Sequence, residues 1–146
     1  MTLFTHALVG YAISISTGSP VIAIGAALAP DVDHFFALRG STYPSARMFV
    51  SALWEREDKS GIQRNVLHNV VVAAIIALVS WFVRGDVVVI AGYGSHLLLD
   101  MIDGSLYYPF FPSKAFGIRG FIPYFSWQEL VFAAIVGLYI IVCTII

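Results

Sequence analysis

Residues 66–102 read VLHNVVVAAIIALVSWFVRGDVVVIAGYGSHLLLDMI, and this stretch decides the fold class. Two apolar runs, Val66–Val83 and Val87–Ile102, flank Arg84-Gly85-Asp86, a tight-turn signal. As a helix, the first run extends roughly 27 Å at 1.5 Å per residue, and the second returns antiparallel to it. Such a hairpin is long enough to enter a bilayer. Its ionisable residues stay near the turn or near the open end. Arg84 and Asp86 form the turn, His68 opens the first run, and His96 and Asp100 lie late in the second.

The flanking sequence repeats the theme. Leu3–Thr17 is apolar, Thr17-Gly18-Ser19-Pro20 is a turn signal, and Val21–Ala29 is a second apolar run closed by Pro30. These two arms are short for a crossing that needs about 20 residues, so they form a short or re-entrant hairpin. Trp127–Ile146 is a last spanning helix with no charge after Glu129. Between it and Ile102, Gly104–Ser126 is rich in Gly, Pro and aromatics. Tyr107, Tyr108, Phe110, Phe111, Phe116, Phe121, Tyr124, Phe125 and Trp127 suit a belt at headgroup level. Gly10, Gly25 and Gly137 are read as helix-packing positions. No repeat or low-complexity tract divides the chain, so residues 1–146 form one domain.

Composition agrees. Of 146 residues, 59% are hydrophobic and 12% charged, with mean hydropathy +0.85. A soluble domain carries about 25% charged residues, and a small one buries only part of its surface. The expectation is an all-α integral membrane protein of about five apolar helices, the first two short. Net charge −1 leaves no basic excess for a nucleic-acid backbone, so nucleic acid is not expected as a partner. No Lys or Arg precedes the first apolar run, so a cleavable signal peptide is not expected. Cys143, the single cysteine, makes no internal disulfide and cannot build a cysteine-based zinc site.

Charge also orients the chain. Arg39, Arg47, Arg56, Lys59 and Arg64 precede the third apolar run, and Lys114 and Arg119 follow the fourth. If the segments alternate, these share one side and only Arg84 lies opposite. The positive-inside rule then puts that side in the cytoplasm, with the N-terminus in and the C-terminus out of a multi-pass cell-membrane protein. Within the first polar connection, Ser45–Asp58 places Phe49, Leu53 and Trp54 on one side. It reads as a surface-lying amphipathic helix or as a solvated connector.

All four histidines map to this cytoplasmic end. His6 starts the first helix. His34 follows the second, beside Asp31 and Asp33 in what reads as an exposed turn after Pro30. His68 lies in the first turn of the third run, and His96 and Asp100 lie four apart on one face of the fourth, with Gly92 and Asp103 near that face. Each motif alone has a bland reading, as a solvated His, an Asp-x-Asp cap or a hydrogen-bonded His–Asp pair. Their common end favours a metal site, because ionisable residues in apolar segments are costly. Imidazoles with carboxylates suit zinc, manganese or iron.

His6, Pro30-Asp31-Val32-Asp33-His34, Arg64 with His68, His96-Leu97-Leu98-Leu99-Asp100 and Gly104-Ser105-Leu106-Tyr107-Tyr108-Pro109-Phe110 occur in one order. This pattern resembles the YdjM-like family of membrane-bound, metal-dependent hydrolases, some of them LexA-regulated. It is similar, more distantly, to the helical zinc-dependent phospholipases C and their nuclease relatives. The resemblance implies that His6, Asp31, Asp33, His34, His68, His96 and Asp100 are metal-site residues. Gln63 stands where family members often carry a His, which implies one ligand fewer here.

The expected function is a membrane hydrolase with one or two divalent ions, zinc first, that activate water against an ester. Asp31, Asp33 or Asp100 would be the general base where it does not ligate, and Arg64 would hold an anionic group. A phosphoester of a lipid or lipid-linked molecule fits metal plus arginine at headgroup level. The alternative is non-catalytic: a structural metal, or a metal-ion carrier. A carrier should have ionisable residues near the middle of its helices.

Overall fold

A computed structural model describes residues 1–36, 66–85 and 87–146. The amphipathic stretch Ser45–Asp58, Gln63, Arg64, the other basic residues of that connection and Asp86 lie outside the described residues.

Helix α1 is Leu3–Thr17. Thr2 caps it by accepting from the Thr5 N–H, and Gly18 ends it at φ 65°, donating to the Ser14 carbonyl. Helix α2, Pro20–Leu28, begins with proline at its first turn, where the missing N–H costs nothing. It passes into a 3-10 turn, Ala29–Val32, and a short helix α3, Asp33–Phe36. Helix α4 is Val70–Arg84, capped by Asn69 and closed by Gly85 at φ 67°. Helix α5 is Val88–Ile102 and α6 is Trp127–Ile145.

Two small-residue contacts set the packing. A Cβ on Gly10 would lie 2.8 Å from the Ala27 Cβ, and one on Gly92 would lie 2.7 Å from the Ala23 carbonyl oxygen. Hence α1 and α5 both approach α2 at backbone distance, over a seam of buried Ala23, Ala26 and Ala27. Gly25 and Gly137, expected to pack helices, meet nothing within 4 Å, so only Gly10 of the three serves that role. A second cluster, Met1, Leu99 and Ile122 with Val9, Ile102 and Phe132, joins α1, α5 and α6.

The fold is mostly helical, as expected, with one addition. Leu106–Tyr107 (β1) pairs antiparallel with Ile118–Arg119 (β2) in the aromatic segment. The expectation of several spanning helices is narrowed. Among the described residues, α6 is the one helix long and apolar enough to cross a membrane. Helices α1, α4 and α5 have 15 residues each and α2 has nine. At 1.5 Å per residue the 15-residue helices reach about 22 Å, short of a hydrocarbon core of about 30 Å. The third run loses its first residues because Asn69 caps the helix and leaves Val66–His68 outside it.

A candidate metal centre

The starts of α1, α4 and α6 meet the ends of α2 and α5. Along α5, the turn after Gly92 carries His96, whose Nδ1 lies 2.7 Å from the Ala27 carbonyl oxygen. A carbonyl only accepts, so Nδ1 carries a proton and Nε2 faces inward. One turn later, Asp100 Oδ2 lies 3.5 Å from that Nε2.

His68 reaches the same point from the stretch before α4, which is held from several directions. Asp33 Oδ2 accepts from the Leu67 N–H at 2.6 Å and the His68 N–H at 3.1 Å, and lies 3.2 Å from His68 Nδ1. The Tyr93 and Tyr107 hydroxyls donate to the Leu67 and His68 carbonyls. The Val70 N–H donates to the Pro109 carbonyl at 2.8 Å. Asp33 thus sets the ring's orientation, fixes Nδ1 as donor and turns Nε2 inward. This is the carboxylate–histidine arrangement that often backs a metal ligand.

The two Nε2 atoms lie 3.1 Å apart, and Asp100 Oδ2 lies 3.3 Å from His68 Nε2. Two lone pairs this close would repel, so either one nitrogen carries a proton that the other accepts or a metal ion lies between them. Donors about 2.0–2.1 Å from a shared zinc sit about 3.3 Å from one another in tetrahedral geometry, so the spacing fits a metal. Further donors surround the pair. His6 stacks on His96 with ring centroids 3.8 Å apart, its Nε2 3.7 Å from Asp100 Oδ1. Asp31 Oδ1 lies 3.7 Å from His96 Nε2. Among the described residues, two groups have ligand atoms all within 4.8 Å of one another: His6, His96 and Asp100, and Asp31, His68 and His96.

The donors are dry. His6, His68, His96 and Asp100 are 2% exposed or less. Among the described residues, His6 Nδ1 and Asp31 Oδ2 are buried with no hydrogen-bond partner, a costly arrangement in an apolar interior unless a ligand is bound. Asp31 stands just beyond α2. Burial pushes its carboxyl up, but the His96, His34 and His6 imidazoles more than offset this and hold it down at about 2. It is ionised at neutral pH, as a cation ligand must be.

The expected residues therefore sort by position. His6, Asp31, His68, His96 and Asp100 converge. His34 stands at the edge, with 14% side-chain exposure and Nε2 3.3 Å from Asp31 Oδ1. Asp33 sits behind His68. Arg64 lies outside the described residues. Three expectations are corrected. Asp31 and Asp33 are not in an exposed turn: they are buried, because the 3-10 turn carries the chain back over the ends of the helices. His68 precedes α4 rather than occupying its first turn. Tyr107 is fully buried beneath His68, so it does not belong to an interfacial belt.

Two more buried carboxylates adjoin the site: Asp103, expected near the face of His96 and Asp100, and Glu129, which was not expected there. Asp103 pairs with the Met1 ammonium at 2.5 Å and accepts from the Ser105 N–H at 2.8 Å. The same ammonium lies 3.6 Å from Asp100 Oδ1. Asp103 follows Asp100 by three residues, a spacing that puts it on the same face. Glu129 accepts from the Thr2 N–H at 2.6 Å, the Thr5 hydroxyl at 2.8 Å and the Phe125 N–H at 2.8 Å. Its signal was Ser126-Trp127-Gln128-Glu129, a capping-box pattern before an apolar run.

No curated protein and no solved structure matches the chain. A family model described as YdjM inner membrane protein matches residues 1–146, the whole of it. The chain belongs to the YdjM inner membrane protein family.

Proposed function

We propose that this protein is a multi-pass, metal-dependent hydrolase of the cytoplasmic membrane, its site at the cytoplasmic face. The substrate is a phosphoester of a lipid or lipid-linked molecule. The observation that carries the reading is the convergence of His68 and His96 Nε2, 3.1 Å apart, with Asp100, Asp31 and His6 around them.

His6, His68, His96, Asp31 and Asp100 would hold the ion or ions, zinc before manganese or iron. When bound, such an ion supplies Lewis acidity, making water nucleophilic near neutral pH and polarising the ester. The protein's own groups do the rest. Ala27 and Asp33 fix the tautomers of His96 and His68. Where the Asp31 carboxylate does not ligate, its Oδ2, which has no hydrogen-bond partner among the described residues, takes the proton from the attacking water. The water oxygen bonds to phosphorus, the bond to the leaving oxygen breaks, and that oxygen takes the proton the carboxylate removed from the water. The sequence offers Arg64, outside the described residues, as the group that would hold the phosphoryl charge, since guanidinium matches phosphate geometry.

The burial of His6, His68, His96 and Asp100 favours a second reading, in which the metal is structural. His96→Ala separates the two. Loss of turnover with an unchanged circular dichroism spectrum supports the enzyme, and loss of the helical signal supports the structural metal. The reading itself is tested by incubating the metal-replete protein in mixed micelles with phosphodiester, phosphomonoester and acyl-ester lipids. Chelator-sensitive phosphate-ester cleavage is expected. Cleavage of acyl esters alone, or of nothing, would overturn it.

A further inference from the structure

A cleft of about 990 Å³ lies between the first turns of α1 and α6 and the end of α2. Leu3, Phe4, Ala7, Leu28, Leu130 and Ala133 are among its apolar lining. Its polar groups are Thr2, Thr5, Ser126 and Glu129. Glu129 spends its carboxylate on Thr2, Thr5 and Phe125, so this end of the cleft is internally satisfied and offers no built site for a charged ligand. Leu3, Phe4, Trp127 and Leu130 are exposed along the rim. Beyond them, the exposed Ile135, Leu138 and Ile141 continue the same apolar surface down α6, the one described helix with the length to cross a bilayer. The cleft thus opens beside this helix, in a chain that belongs to an inner membrane protein family.

The cleft also adjoins the His/Asp cluster. Thr2 and Thr5 belong to the cleft, while their chain neighbours Met1 and His6 face Asp100, at 3.6 and 3.7 Å. Leu28 lines the cleft, and the carbonyl of its neighbour Ala27 orients His96. The cleft and the cluster therefore share the start of α1 and the end of α2.

We propose that this cleft is the binding site for a hydrocarbon chain of the substrate, an acyl chain of a membrane phospholipid. It holds the chain along α6 so that the phosphoester lies at the His/Asp cluster. The assignment of a phosphoester at the cluster rests on the hydrolase reading above; the chain-binding cleft stands on its own walls. An apolar cavity has no partners for water, and the volume lies at the upper end of the range for ligand pockets, roughly 300–1,000 Å³.

The test uses the full chain in phosphatidylethanolamine–phosphatidylglycerol vesicles containing phosphatidylglycerol with a diazirine in one acyl chain. After photolysis, adducts are mapped by peptide mass spectrometry, with metal and with chelator. Adducts concentrated on Leu3, Phe4, Ala7 and Leu130 are expected, relative to the exposed Ile75, Val79 and Phe82 of α4. Ala7→Trp should fill the cleft and abolish them. Leu130→Trp, at an exposed position, is the second variant should Ala7→Trp not fold. Adducts spread evenly over the cleft and α4, or undiminished in a folded cleft-filling variant, would overturn the proposal. Labelling persists under chelator if the cleft binds chains, so labelled but hydrolytically inactive protein would sink the hydrolase reading and leave the cleft.

Discussion

The buried imidazoles at the helix ends each have one nitrogen already assigned. Ala27 and Asp33 accept hydrogen bonds from Nδ1 of His96 and His68 and leave both Nε2 atoms facing inward. Asp33→Asn removes the charge that orients His68 while keeping an acceptor for the Leu67 and His68 amides. Metal affinity is expected to fall about 10–100-fold, as for other partners behind a metal-liganding histidine, with the thermal midpoint of the metal-free protein little changed. Titration against a chromophoric chelator reads the affinity; an unchanged affinity would remove Asp33 from the site. Much of this was legible in the sequence. The i, i+4 spacing of His96 and Asp100 fixes a shared face, and the location of every histidine near one set of helix ends foretells their meeting. The division of labour between Asp31 and Asp33 was not legible. Two carboxylates two residues apart look alike until a 3-10 turn points one at the imidazoles and the other at the His68 backbone.

Helix packing sets the precision of the site. Gly92 lets α5 lie against the Ala23–Ala27 backbone, and the same contact carries the carbonyl that orients His96. Gly92→Ala is expected to cost about 1–3 kcal/mol, the usual penalty of overpacking, and to weaken metal binding by moving Ala27. Gly25→Ala meets open space and should cause no loss. Thermal unfolding in detergent compares the two, and equal midpoints would contradict the packing argument. Glu129 ties α6 to the start of α1. Glu129→Ala should cost about 1–3 kcal/mol, because buried donors lose their acceptor; an unchanged midpoint would show the tie to be dispensable. Helix existence was legible from apolar runs, and α1 from its exact turn signals. Helix ends and the β1–β2 pair were less so. Caps such as Asn69 act through single hydrogen bonds that hydropathy does not register, and a two-residue ladder has no periodicity to read.

For the molecule as a whole, the starts of α1, α4 and α6 share one end with the His/Asp cluster, and the long apolar α6 runs away from it. Seven basic residues on one side against one predict that this end faces the cytoplasm. Alkaline phosphatase joined after Ile146 should then be active in intact cells, and a fluorescent protein at the same place dark. The reverse pattern would put the site outside. The rest depends on whether a cation holds the two Nε2 atoms together. The deciding measurement is the metal content of folded, detergent-purified protein by inductively coupled plasma mass spectrometry, wild type beside Asp100→Asn, after resupply with zinc, manganese or iron and desalting. At least one equivalent in the wild type, with clear loss in the variant, is the expected result. Folded wild-type protein that retains no metal would contradict the metal centre and the hydrolase built on it.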